Sequence, residues 1–318
     1  VYRSISVRKN ILITGGAGFI GINLVKHLVE NTDHTMLVVD RSEENQKRLT
    51  SVIGKNTRVI QVTEGYEDVN IDAVNYDTVV HLAAVPRILF SVENPVYTND
   101  ENLTKMVKFL SNIKEKCPRF IFASSSSVYG DTENYPTKED NSLLPKSPYS
   151  LQKKTGEEYL RIFSDLYGLD VVSLRFFTVF GPHQYVDSDY ATVIARWIDQ
   201  IRKDKNITLD GDGTQVRDFT YIDNVVSAIR IMIELEDSEF PNKESFNVGN
   251  QTETSLNELI IMLKDKDTFT VTGGDRRPAD VNKTHADISK IREYGYNPMV
   301  SVKEGLDRTW KWWTQNNV

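Results

Sequence analysis

Asn10-Ile11-Leu12-Ile13-Thr14 runs directly into Gly15-Gly16-Ala17-Gly18-Phe19-Ile20-Gly21. Few folds accommodate that junction. The first five residues form a short apolar run of the kind that becomes a buried parallel strand. Beyond Gly21, the apolar residues Leu24, Val25, Leu28 and Val29 recur at helical spacing. Glycines between a strand and a helix let the backbone approach a pyrophosphate, which then rests on the helix N-terminus. Gly15, Gly18 and Gly21 have the Gly-x-x-Gly-x-x-Gly spacing, and they carry weight because a strand precedes them and a helix follows.

A second strand, Thr35 to Val39, ends at Asp40, about 20 residues past the last glycine, where an acid can accept both adenosine ribose hydroxyls. Such a carboxylate repels a 2′-phosphate and selects NAD over NADP; Asp40 would equally serve as a helix cap, and Arg41 beside it leaves some NADP affinity open. Arg58 to Thr63, Asp77 to Ala84, Arg119 to Ala123 and Val171 to Phe177 read as further strands, with a long helical pattern over Pro95 to Lys116. The alternation predicts an α/β fold, a doubly wound parallel Rossmann sheet. Past Phe177 it loosens, although Ser245 to Gly249 reads as a strand returning to the sheet. The expected division is a dinucleotide-binding domain over 1–179, with 218–250 rejoining it, and a smaller interleaved domain over 180–318. Trp310, Trp312 and Trp313 on a terminal helix read as core packing.

A net charge of −7 gives no basic excess for neutralising nucleic-acid phosphates. No apolar run has the length of a membrane span, and the N-terminus has no signal-peptide core. The first eight residues read as a short extension ahead of the fold. Cys117 is the only cysteine, which points to a reducing, cytosolic setting.

Ser124-Ser125-Ser126-Ser127-Val128-Tyr129-Gly130 leaves the fifth strand, and Pro148-Tyr149-Ser150-Leu151-Gln152-Lys153 opens a helix. Tyr149 and Lys153, four apart, share one helix face. A phenol ionises near pKa ~10, too high for a base at neutral pH. An ammonium one turn away is expected to lower that value and make Tyr149 a proton shuttle. Ser125 stands where it can hydrogen-bond the same hydroxyl. Alone, the pair fits a solvated helix face equally well. His81 reads as a packed polar residue, and Ala83 and Ala84, small residues at a strand end, leave room for a cofactor.

Taken together, these motifs resemble the extended short-chain dehydrogenase/reductases of the nucleotide-sugar type, and most of all the NAD-dependent sugar-nucleotide 4-epimerases. The resemblance spans Asn10 to about Pro298. It includes Gly15 to Gly21, Asp40, His81 to Ala84, Ser124 to Gly130, Tyr149 to Lys153, Arg175 to Pro182, Gly211 to Asp223 and Arg277 to Asp280. It implies Ser125, Tyr149 and Lys153 as the catalytic trio, with Lys153 also on the nicotinamide ribose. It implies a cofactor shell of Gly15, Gly18, Phe19, Ile20, Gly21, Asp40, Leu82, Ala83 and Ala84, with Asn99 as a structural asparagine nearby. Thr178, Arg217 and Arg277 are implied to hold the substrate diphosphate, and Ser126 to meet the substrate beside Ser125. No metal is implied. The substrate is expected to be a UDP-linked sugar, and the assembly a homodimer through the Pro95–Lys116 and Tyr149–Leu166 helices.

Relatives of this type that eliminate water carry Asp-Glu after the catalytic serine position, and decarboxylases tend to keep a Glu; this chain has Ser126-Ser127. That favours an isomerase over a lyase, and the intact Tyr149 and Lys153 speak against a non-catalytic dinucleotide sensor. Uronate 4-epimerases usually carry an arginine where Tyr185 stands. A carboxylate without a cationic partner is poorly held in a closed pocket, so a neutral hexose or N-acetylhexosamine is expected. Thr284 falls at the gate to the sugar C2 pocket, where a small residue admits an N-acetyl group. The third strand ends without the usual adenine-contacting aspartate, reading Glu64-Gly65-Tyr66-Glu67-Asp68.

Overall fold

The computed structural model describes residues 7–71, 74–116, 119–186, 192–276 and 280–316. In chain order, β1 (Asn10–Thr14), α1 (Phe19–Asn31), β2 (Thr35–Val39), α2 (Glu43–Ile53), β3 (Val59–Val62) and β4 (Thr78–His81) alternate strand with helix or loop. Next come α3 (Ile88–Glu93), α4 (Pro95–Asn99), a π-helical turn (Asp100–Thr104) and α5 (Lys105–Ile113), then β5 (Arg119–Ser125), α6 (Pro148–Tyr167) and β6 (Asp170–Phe176). The remainder holds β7 (Val179–Phe180), α7 (Val193–Asp204), β8 (Asn206–Asp210), β9 (Val216–Arg217), β10 (Thr220–Tyr221), α8 (Ile222–Glu234) and β11 (Glu244–Val248). It closes with β12 (Thr254–Ser255), α9 (Leu256–Lys264), β13 (Thr270–Gly274), α10 (Ser289–Arg292) and α11 (Val302–Gln315).

Seven strands make one sheet in the order β11-β6-β5-β4-β1-β2-β3, every neighbouring pair parallel. The order reverses beside β1, and in such sheets the crevice outside the strand C-termini at that point is the ligand site. Successive β1 side chains go to opposite faces. Ile11 and Ile13 join one core with Leu24 and Val25 of α1 and Val225 and Ile229 of α8. Leu12 joins the other, with Val79, Phe109 and Leu110. Burial on both faces explains why these strands are almost wholly apolar.

β11 pairs with β6 along its full length, from Glu244↔Val172 to Val248↔Phe176. Residues far downstream thus complete the sheet. Trp313 is fully buried, whereas Trp312 packs edge-on to His183 and Tyr185. Among the described residues no helix is long and apolar enough to cross a membrane.

Candidate active site

The glycine turn is shaped by close approach. Gly15 has φ +65°, and a Cβ there would lie 2.7 Å from the Ala83 backbone. A Cβ on Gly21 would meet the Gly16 backbone at 2.5 Å, so α1 can start tight against the turn only with glycine there. Gly18 caps α1 without a side-chain acceptor, and the first turn carries no acidic residue. Its N–H groups are therefore left for an anion. Phe19 and Ile20 begin the helix and pack on the core. Leu82 N–H donates to Thr14 O at 3.0 Å, which keeps the Leu82-Ala83-Ala84 segment beside the turn.

Asp40 follows β2, and Ser42, not Asp40, is the N-cap of α2. Burial pushes the Asp40 carboxyl up, against hydrogen bonds that include the Ala17 amide. Backbone turn, open helix N-terminus and strand-end acid together fit a dinucleotide. Gly15, Gly18, Phe19, Ile20, Gly21, Asp40 and Leu82 to Ala84 would hold it, and Lys153 would reach its far end.

Asn99 is a correction. It lies exposed on α4, whereas the buried structural asparagine is Asn102. That side chain accepts from Val85 N–H at 2.6 Å, donates to Val85 O at 3.2 Å and donates to Gln152 Oε1 at 2.8 Å. The π turn inserts extra backbone into the helix and rotates Asn102 to the inner face.

The three residues expected to react come from the C-terminal edge of β5 and the start of α6. Ser125 is the last residue of β5, its Oγ accepting from Ser127 N–H at 3.2 Å. α6 is started by Ser147, whose Oγ accepts from Ser150 N–H at 3.1 Å, with Pro148 in the first turn. Tyr149 N–H donates to Ser91 Oγ of α3 at 3.1 Å, which ties the start of the catalytic helix to a second element. Ser125, at the end of β5, is the polar group that acts on the Tyr149 phenol against the effect of burial. Lys153 Nζ donates to Ala123 O at 2.7 Å and lies 5.9 Å from the Tyr149 ring centroid.

Burial opposes the expected electrostatics of this pair. Burial pushes Tyr149 up to about 12, with the Ser125 hydrogen bond pulling the other way. Burial likewise lowers Lys153 to about 7, opposed by the field of Glu157. Lys153 does not depress the phenol here, because its own charge is disfavoured where it sits. His81 is a packed residue: its Nδ1 meets Thr14 Oγ1 at 2.7 Å, and burial lowers it to about 3.

Behind the trio lies a buried polar network absent from the sequence reading. Arg175 Nη2 donates to Glu157 Oε2 at 2.7 Å and its Nη1 to Tyr129 Oη at 2.8 Å and Glu139 O at 3.0 Å. Tyr129 Oη donates to Asn247 Oδ1 at 2.6 Å, joining β11 to the loop after β5. Glu157 also accepts from Ser124 Oγ. Arg175 and Tyr129 lie within segments that carry the family resemblance, but nothing in the sequence joined them to Glu157 or Asn247.

The expected substrate residues lie along the other rim. Ser126 opens the short turn after β5, half-buried. Thr178, between β6 and β7, is half-buried, and its carbonyl accepts from Thr220 N–H at 3.0 Å. Arg217 is paired with Asp280 at 2.5 Å and also donates to Val281 O at 2.8 Å. Thr284 Oγ1 accepts from Asp218 N–H at 3.2 Å. Asp218, also missed, is buried and accepts from the amides of Asn250 at 2.8 Å and of Gln251 and Ala286 at 3.0 Å. Arg277 lies outside the described residues. Tyr185 takes the Arg48 guanidinium over its ring, 4.0 Å from the centroid.

Residues 11–249 match the NAD dependent epimerase/dehydratase family. The chain belongs to that family. The sugar-specific members it resembles are spread over several substrates. The UDP-N-acetylglucosamine 4-epimerase of Methanobrevibacter ruminantium, in complex with UDP-N-acetylmuramic acid, is 32% identical with a TM-score of 0.89, covering 97% of this chain and 99% of its own. The UDP-glucuronic acid 4-epimerase of Bacillus cereus, with UDP-glucuronic acid and NAD, is 30% identical with a TM-score of 0.89, covering 96% and 99%. The UDP-glucose 4-epimerase of Thermotoga maritima, with UDP-glucose, is 31% identical with a TM-score of 0.86, covering 97% and 100%. As a member of this epimerase family, the chain is an isomerase that uses NAD.

Proposed function

We propose that the chain inverts C4 of a UDP-hexose or UDP-N-acetylhexosamine through a transient 4-keto sugar. The observation that carries this reading is the placing of Tyr149 and Lys153 on one buried face of α6, with Lys153 Nζ held to Ala123 O two residues before Ser125, followed by Ser126-Ser127 and no acid. NAD, when bound, supplies the hydride acceptor and the positive charge of its nicotinamide ring. Tyr149 takes the proton of the sugar 4-hydroxyl and later returns it, while Ser125 holds that oxygen. Lys153 steadies the phenolate once a bound ligand favours the charged states. Neither Ser126 nor Ser127 can protonate a leaving hydroxyl, so the ketone persists until it is reduced again.

Arg217 would anchor the diphosphate together with Arg277 and Thr178. For Arg217 this means exchanging the Asp280 carboxylate for phosphate oxygens, a trade suited to a planar guanidinium. Tyr185 brings no cation of its own to a uronate, and the Arg48 guanidinium lies over its ring. Thr284 leaves room for an N-acetyl group. The exposed Leu151, Ile162 and Leu166 of α6 and Val96 of α4 form an apolar face that would pair two copies. Sedimentation of the wild type beside Leu166→Glu checks this pairing, and identical monomeric behaviour of both would refute it. A cytosolic setting goes with the single cysteine.

The deciding experiment incubates the purified protein with UDP-glucose, UDP-galactose, their N-acetyl and uronate forms and a dTDP-glucose control, with NAD present. Chromatography is expected to show the C4 epimer of a neutral or N-acetylated sugar without net NADH. A product of altered mass would replace the isomerase reading by elimination or decarboxylation.

A further inference from the structure

Arg41, directly after the ribose-reading Asp40, is the residue that a 2′-phosphorylated dinucleotide would need, since a nearby arginine is how such folds accommodate the extra phosphate. It is already engaged. Its Nη1 donates to Glu101 Oε2 at 2.7 Å and its Nη2 to Tyr97 Oη at 3.1 Å. Glu101 in turn holds Lys105 at 2.6 Å, and its backbone carbonyl accepts from Tyr66 Oη at 3.0 Å. Its side chain is 11% exposed, against 53% for Arg41. The acid is therefore the fixed partner and the arginine the movable one.

The topology makes this pair more than a surface contact. Asp40 and Arg41 leave β2, whereas Glu101 belongs to the π turn reached from β4, and β1 lies between those strands. Asn102, next to Glu101, is fastened to Val85 in the loop after β4. The ion pair therefore joins the two banks of the crevice at the sheet's reversal point, on its adenosine side. Burial pushes Glu101 up, but Lys105 and Arg41 outweigh it and hold the carboxylate below its usual range. It is ionised at neutral pH.

We propose that Glu101 is a second determinant of cofactor choice, acting through Arg41. By neutralising and tethering the guanidinium, it denies a 2′-phosphate its cation and reinforces the exclusion begun by Asp40. Glu101 is a positioning residue in this role. The inference rests on the family's use of NAD, not on which sugar is turned over.

The test reads bound cofactor and not catalysis. Wild type, Glu101→Gln, Arg41→Ala and the double variant are equilibrated with equal NAD and NADP, washed and denatured, and the released dinucleotides are separated by chromatography. Glu101→Gln is expected to raise the bound NADP/NAD ratio by about tenfold, the scale of one freed charge-assisted phosphate contact. Arg41→Ala alone should give no rise, and the double variant should lose the gain. A Glu101→Gln ratio equal to wild type, or a gain that survives Arg41→Ala, would overturn the proposal. If Glu101→Gln does not fold, Tyr97→Phe frees one guanidinium donor at the exposed rim. It should shift the ratio the same way by a smaller factor, and an unchanged ratio there counts against the idea equally.

Discussion

Two rows of buried polar groups lie back to back at the end of β5, and they are built on opposite terms. In the rear row, Arg175 spreads its donors over Glu157, Tyr129 and Glu139, and Tyr129 passes on to Asn247. In the front row, Tyr149 is buried one turn before Lys153, and Lys153 has one backbone carbonyl. The rear row satisfies its polarity within the protein; the front row keeps capacity for something else. A saturated network stiffens a structure, whereas an incompletely satisfied buried group is expensive until a ligand completes it. Burial displaces the proton affinities of both Tyr149 and Lys153 from their ordinary values.

The sharpest way to separate the rows is to remove one functional atom from the front. Tyr149→Phe should lower kcat by about 10³-fold, within the range for a lost general acid–base, while the urea unfolding midpoint stays that of the wild type. A loss of stability in step with activity would erase the distinction. The rear row should answer the other way. Glu157→Gln leaves Arg175 buried without its carboxylate and should destabilise the fold by about 3 kcal/mol, measured by urea unfolding. A change within experimental error would mean that the network does not stiffen the site.

Lys153 offers a test through pH. Its folded value, lowered to about 7 from 10.5 by burial, means that the unfolded chain binds the extra proton between those values. Stability from this group therefore rises with pH through that window. Wild type should gain on Lys153→Met by up to about 2 kcal/mol between pH 7 and 9, read from paired urea titrations. A flat difference would place the ammonium in a better-solvated setting than its surroundings indicate. The smallest effect concerns Thr284, whose hydroxyl accepts from the Asp218 amide and which is proposed to stand at the sugar gate. Thr284→Tyr should reduce kcat/KM about tenfold for an N-acetylated substrate and barely for the plain hexose, a difference near that of an overpacked pocket. Equal loss on both sugars would refute a role of Thr284 in admitting the N-acetyl group.

The front row was legible because its signals are local. Gly15 to Gly21, Asp40 and the Tyr149–Lys153 spacing each declare themselves within one strand–helix junction or one helical turn. Strand positions followed from apolar runs, although β5 continues two residues past the expected Ala123, through Ser125 itself. The rear row was not legible, because Arg175 and Asn247 are joined only by the pairing of β6 with β11, and Glu157 reaches them from α6. α3 is six residues long, too short to show a period. The helical pattern over Pro95 to Lys116 is interrupted by a π turn and ends at Ile113, and that turn is why Asn102 and not Asn99 faces inward. The burial that opposes the Tyr149–Lys153 electrostatics was hidden for a further reason: spacing along a helix fixes proximity and says nothing about how much water surrounds the pair.

The sheet's last strand also sets an order of events during synthesis. Ser125, Tyr149 and Lys153 leave the ribosome well ahead of Asn247, and until β11 arrives β6 is an open edge with unpaired backbone groups. The Tyr129 hydroxyl waits for the same segment. A nascent chain halted at Phe176 thus carries every reacting side chain on a platform lacking its rear support. Completion of the candidate site is timed by residues outside it, and an amino-terminal fragment bearing the whole trio would leave β6 as an open edge, the kind of edge that invites aggregation.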